Sequence, residues 1–152
     1  MSKLKIPHDA WVLVGDGEKV IILRNEGDEE FPNLVVERLF EHENPPTHEQ
    51  GTDRPGRYSD APIGGTEQRS AFEEADWHRL EKTRFAKDIA GQLYKLAHRN
   101  RFQKLIIAAP PRTLGDLRDA LHAEVKDRVI GEVSKTLTHH PVDQIEKVLT
   151  RT

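Results

Sequence analysis

The chain has 152 residues, of which 36% are hydrophobic and 32% charged, a balance that suits one polar domain with a modest core. It contains no cysteine, which excludes disulfides, thiolate nucleophiles and Cys-ligated zinc and favours a reducing compartment. The net charge of −3 is unevenly spread: residues 1–60 carry 7 Lys and Arg against 13 Asp and Glu, whereas residues 61–152 carry 16 against 13, too mild an excess for binding nucleic acid by bulk charge alone.

The N-terminal "MSKLKIPHDAWVLV" has two lysines but no continuous apolar stretch before a small-residue cleavage site, so no secretory signal is expected. No apolar run approaches the ~20 residues of a membrane helix. A cytoplasmic protein with no membrane partner is the expectation. "AWVLVG" (10–15) and "EKVIILR" (18–24) are β-prone runs around Asp16-Gly17, a hairpin signal that predicts a type I′ turn. "LVVERLFEH" (34–42) reads as a third strand, completing an antiparallel meander. Residues 43–70 hold Pro45, Pro46, Pro55 and Pro62 with four glycines, and only Ile63 among branched aliphatics. Such a segment cannot bury itself and is expected to be a long mobile loop.

A long helix follows. Phe85, Ala86, Ile89, Ala90, Leu93, Leu96 and Ala97 recur at the 3.6-residue period. Carried backwards, the same stripe reaches Lys82, His78, Ala75 and Ala71 and so turns polar. Either the helix outgrows the core there, or His78 and Lys82 face a site. "KLIIAAP" (104–110) is unbroken and apolar, as a central strand covered on both faces requires. Thr113 and Asp116 are spaced like a capping box opening a second helix, with Leu114, Leu117, Leu121 and Val125 as its apolar face. "RVIGEVS" (128–134) predicts a fifth strand. "THHPVDQIEKVLT" predicts a last helix with Pro141 in its first turn and His140 as a cap. The predicted order is βββ-αβαβα, an α/β domain with a mixed five-stranded sheet and right-handed crossovers between the later parallel strands.

That order resembles the middle domain of archaeal and eukaryotic class-1 peptide release factors and of Pelota. "RFAKDIAGQL", "LIIAAPPRTLGDLRDAL" and "EVSKTLTHHPVDQIEKVL" resemble the bacterial host-attachment protein family, proposed relatives of those factors. The resemblance implies a ribonuclease-H-like fold over nearly the whole chain, residues 1–152, with 43–70 as its flexible loop. In release factors a Gly-Gly-Gln loop before the long helix promotes attack of water on the peptidyl-tRNA ester. Glycines permit close backbone approach, and an amide can order water and stabilise the oxyanion. Here Gly64 and Gly65 stand at that place, but Thr66 and Glu67 follow and Gln68 comes three positions after Gly65. The resemblance therefore implies a stand-alone ribosome- or RNA-associated factor with weak or no peptidyl-tRNA hydrolysis. The alternative is an intracellular protein-interaction factor needed for attachment to host cells.

Arg57, Arg69, Arg79, Lys82, Arg84 and Lys87 are candidate phosphate contacts by the same resemblance, although interleaved Glu73, Glu74, Asp76, Glu81 and Asp88 also suit a solvated helix face. Trp77 and Leu80 lie opposite the core stripe and suit a protein partner or packing against the long loop. His78, His139 and His140 lack a cysteine or acidic partner that would complete a metal motif. No Gly-rich phosphate loop, Ser-His-Asp order or nucleotide fingerprint is present, so no metal or cofactor is expected.

Overall fold

The structure, a computed structural model, describes residues 4–41 and 66–151, with side chains in the first helix described from Trp77 onward. Its strands are β1 (Trp11–Gly15), β2 (Lys19–Asn25), β3 (Leu34–Glu41), β4 (Leu105–Ala108) and β5 (Val129–Val133). Its helices, among the described residues, are α1 (Thr66–His98), α2 (Pro111–Ala120), α3 (Ala123–Lys126) and α4 (Val142–Thr150). The strands form one sheet in the order β3-β2-β1-β4-β5. The meander β1-β2-β3 is antiparallel, while β4 runs parallel to both β1 and β5.

The unbroken apolar runs explain this arrangement. All five residues of β1 and all four of β4 are buried, so both sheet faces must be covered where these strands lie. Trp11, Leu13, Leu105 and Ile107 point to one face, where they meet Phe85, Ile89 and Leu93 of α1 and Leu114 and Leu117 of α2. Val12, Val14, Ile106 and Ala108 point to the other, where Ile6, Leu137 and the α4 residues Ile145 and Leu149 cover them. The sheet's middle strand is β1, with β4 beside it, so "KLIIAAP" is interior rather than central.

Several local expectations are corrected. The Asp16-Gly17 hairpin forms, but not through a type I′ turn, because no described glycine has positive φ. Instead the Asp16 Oδ1 accepts from the backbone N–H groups of Glu18 (2.8 Å) and Lys19 (2.9 Å), a side-chain substitute for the turn's own hydrogen bonds. α2 starts at Pro111 with no side-chain cap, so Thr113 and Asp116 form no capping box. That helix ends at Ala120, and Leu121 is extended. The His122 Nδ1 then caps the separate helix α3 by accepting from Glu124 N–H, so the order is βββ-αβααβα. Leu121 and Val125 are buried as their spacing requires, although the backbone between them is not continuous helix. Pro141, not His140, occupies the cap position of α4. α1 begins at Thr66, so Thr66–Ser70 are helical rather than the end of the long loop, whose remaining residues 43–65 lie outside the described residues.

Asn25, fully buried, ties the N-terminal segment to the meander. Its Nδ2 donates to the carbonyls of Ile6 (2.8 Å), Pro7 and Asp28, and its Oδ1 accepts from Gly27 and Asn33. A buried amide so completely paired holds one register of chain around it.

Ile106→Ala is expected to lower unfolding free energy by about 2–5 kcal/mol in urea titration, because it opens a cavity beneath Ile6, Leu137 and α4. Val36→Ala, on the edge strand with 57% of its surface exposed, should shift the midpoint far less. Equal shifts would contradict the two-sided burial of β4.

Candidate nucleic-acid interface

At ~1.5 Å per residue, the 33 residues of α1 span about 50 Å. Among its described side chains, those anchored in the core run from Phe85 to Ala97. Trp77, His78, Arg79 and Leu80 are all exposed, so the helix outgrows its sheet as the polar start of its stripe suggests. The overhang is not idle surface. It passes the C-terminal ends of β1 and β4, where His78, Arg79 and Lys82 face Asp16-Gly17 on one side and Pro110, Arg112, Thr113 and Asp116 on the other. These residues enclose a groove of about 330 Å³. The carboxyl ends of parallel strands are where open α/β sheets commonly gather ligands.

Gly17 permits the close approach. A Cβ added there would lie 2.6 Å from the Lys82 Cδ, so the lysine stem rests on bare backbone. Asp16 makes no ion pair with the groove's cations. Its Oδ1 serves the hairpin, and its Oδ2 accepts from the buried Thr138 hydroxyl at 2.9 Å, which ties the β1–β2 turn to the segment before α4. Among the described residues Arg79, Lys82 and Arg112 make no ion pair. The first turn of α2 carries no acid, and its backbone dipole adds positive potential at Arg112 and Thr113. Three free cations and a hydroxyl outweigh the two carboxylates of the lining, Asp16 and Asp116, and make a slot suited to phosphate oxygens.

The structure thus brings together His78, Arg79 and Lys82. Arg84 donates from its Nη1 to the Glu81 Oε1 at 3.0 Å and is not among the residues lining the groove. Trp77 and Leu80, 43% and 49% exposed, lie outside the groove lining, with the Trp77 ring edge-on to His78 at 5.8 Å. Gln68 and Arg69 belong to the helical backbone of α1, but their side chains, like Arg57, Gly64 and Gly65 altogether, lie outside the described residues. His139 and His140 are exposed, and no cluster of three or more His, Asp or Glu among the described residues could hold a metal. Sequence reasoning missed Gly17, Arg112 and Thr113 as groove residues. The signal was the parallel pairing of β1 with β4, which brings the residues following each strand together.

A sequence model described as bacterial archaeo-eukaryotic release factor family 12 matches residues 9–149, from just before β1 to the penultimate residue of α4. The chain belongs to that family. The release-factor resemblance is thereby supported, whereas the host-attachment label is not part of what this match shows. No curated protein matches the chain. The family-12 match includes every strand, and so both walls of the groove that follow β1 and β4. None of the helices among its described residues is long and apolar enough to cross a membrane.

Two glycine substitutions separate the groove from the frame. Gly17→Ala meets only a flexible lysine, so thermal stability should barely change while Lys82 is pushed aside and low-salt RNA affinity, read by fluorescence anisotropy, falls. Gly27→Ala would place its Cβ 2.1 Å from the Phe31 carbonyl oxygen and should cost more than about 1 kcal/mol in urea unfolding. The opposite pattern would show that Lys82 does not rest where described.

Proposed function

We propose that this family-12 chain is a stand-alone release-factor-like domain with a ribonuclease-H-like fold, associated with the ribosome or its RNA in the cytoplasm and with weak or no peptidyl-tRNA hydrolysis. Residues 1–152 act in this reading as one domain, with a flexible loop preceding α1. The observation that carries it is the groove in which Arg79 and Lys82 of the overhanging α1 meet Arg112 at the carboxyl ends of β1 and β4. The strand order, with two antiparallel and two parallel pairings, supports the fold assignment.

Weak hydrolysis follows from the spacing "GGTEQ". Gln68 stands in the first turn of α1, three residues beyond Gly65, and the carboxylate of Glu67 enters the chain between them. A displacement of ~1 Å can cost ~100-fold in a water-positioning reaction, and the two inserted residues advance a helical chain by about 3 Å. Arg57 and Arg69 would extend the phosphate contacts beyond the groove. A second reading rests on Trp77 and Leu80, which expose large apolar surface on the side of α1 away from the groove. In that reading α1 docks an intracellular protein, and attachment to host cells is an indirect consequence.

Sedimentation with purified ribosomes across a salt series tests the proposal. Wild type should pellet at low ionic strength and be released as salt rises. Arg79→Glu combined with Lys82→Glu should remain in the supernatant. A wild type that never pellets contradicts the reading. On ribosomes loaded with peptidyl-tRNA, wild type, Gly65→Ala and Gln68→Ala should all match the buffer background. Hydrolysis by wild type that Gln68→Ala removes would assign the interrupted loop a catalytic role instead.

A further inference from the structure

A larger cleft, of about 640 Å³, lies at the opposite end of the sheet, below the N-terminal ends of β1 and β4. Its lining includes Arg24, Arg38, Arg101 and Lys104 together with two carboxylates, Asp9 and Glu37. Both carboxylates are already committed to Arg24, Asp9 at 3.4 Å from Nη1 and Glu37 at 3.3 Å from Nε, while Glu26 takes Nη2 at 3.2 Å. Burial opposes the charge on Arg24, but its hydrogen bond and attraction to Glu37, then Glu26 and Asp9, raise its pKa above the ordinary guanidinium value. Arg24 is therefore occupied by carboxylates and not available to an anion, and the excess of positive charge in the lining comes from Arg38, Arg101 and Lys104. Arg38, Arg101 and Lys104 are left without an ion-pair partner among the described residues.

Two of these cations come from "HRNRFQK" (98–104), a connection with three Lys or Arg and no acid. It is held rigidly. Asn100, in the left-handed region at φ 56°, closes the end of α1, with Asn100 N–H on Ala97 O and Arg101 N–H on Leu96 O, both 2.9 Å. Phe102 is buried and stacked on Trp11 with ring centroids 4.9 Å apart. Arg128 donates to the Phe102 carbonyl at 2.6 Å and to Asn100 Oδ1, and Lys104 O accepts from Trp11 N–H. Arg101 and Lys104 thus flank a buried plug on a backbone fixed at four points, so little entropy is given up in ordering the connection when an anion binds.

We propose that this cleft is a second phosphate-backbone site, taking single-stranded RNA across Arg38, Arg101 and Lys104. The cleft is far larger than one phosphate, and its free cations come from two separate elements, β3 and the α1–β4 connection. That distribution suits successive phosphates of a chain rather than one tetrahedral anion. The site is distinct from the groove at the carboxyl ends. Six residues of extended chain, Lys104 to Pro110, separate the two by about 20 Å.

Fluorescence anisotropy with a short unstructured RNA, over a salt series, tests it. Arg101→Ala with Lys104→Ala should weaken low-salt binding about tenfold and reduce the slope of log affinity against log salt by about 1.4, at ~0.7 for each phosphate no longer neutralised. Lys147→Ala, an exposed lysine on α4, should change neither. Unchanged affinity and slope in the double variant would overturn the proposal, as would full displacement of the RNA from this site by millimolar inorganic phosphate. Lys82→Ala separates the two sites: weaker binding there with no change in the double variant removes the cleft and leaves the groove. The reverse result removes the groove and leaves the cleft.

Discussion

The structure depends on β1 and β4 lying side by side with all nine of their residues buried. Such strands cannot leave either face to water, so helices must cover both. α1, α2 and α3 take one face, and α4 with the N-terminal segment takes the other. The remaining strands extend the sheet outward. β3, at one edge, has little cover, and its Val36 and Leu39 stay exposed. A register shift opposite Ile22 and Leu23 and the charges of Glu37, Arg38 and Glu41 guard that edge against pairing with another strand.

The same strand pair locates both candidate sites. Because β1 and β4 are parallel, the residues that follow them emerge together, and so do the residues that precede them. After the strands come Asp16-Gly17 and Pro110 to Thr113, which with the α1 overhang form the groove. Before the strands come His8 to Ala10 and Arg101 to Lys104, which form the cleft. The groove lining carries Arg79, Lys82 and Arg112 against Asp16 and Asp116, and the cleft lining carries Arg24, Arg38, Arg101 and Lys104 against Asp9 and Glu37, so cations outnumber carboxylates in both. Local positive potential therefore survives in a chain whose net charge is −3.

Strand and helix existence was legible because burial writes period and composition into the chain. The stripe Phe85 to Ala97 and the run Leu105–Ala108 appear as their spacing requires. What was not legible depends on specific polar pairings. The Asp16 carboxylate replaces the turn that Asp-Gly predicts, and the His122 ring starts a new short helix where apolar spacing alone suggests continuity. The groove was half legible. His78 and Lys82 stood out as polar residues on an apolar stripe, whereas Arg112 joins them only through strand order, which no local pattern encodes. Arg84 pairs with Glu81 on the helix, a contact that charge spacing alone does not reveal.

The central claim is that the Lys82 side of α1 is the surface that meets ribosomal RNA. Lysine-selective acetylation read by mass spectrometry, with and without ribosomes at low salt, tests it directly. The account predicts strong protection of Lys82 with unchanged labelling of Lys147 on the far face of the sheet. Equal labelling of Lys82 in both conditions, under conditions where the protein pellets with ribosomes, would contradict it.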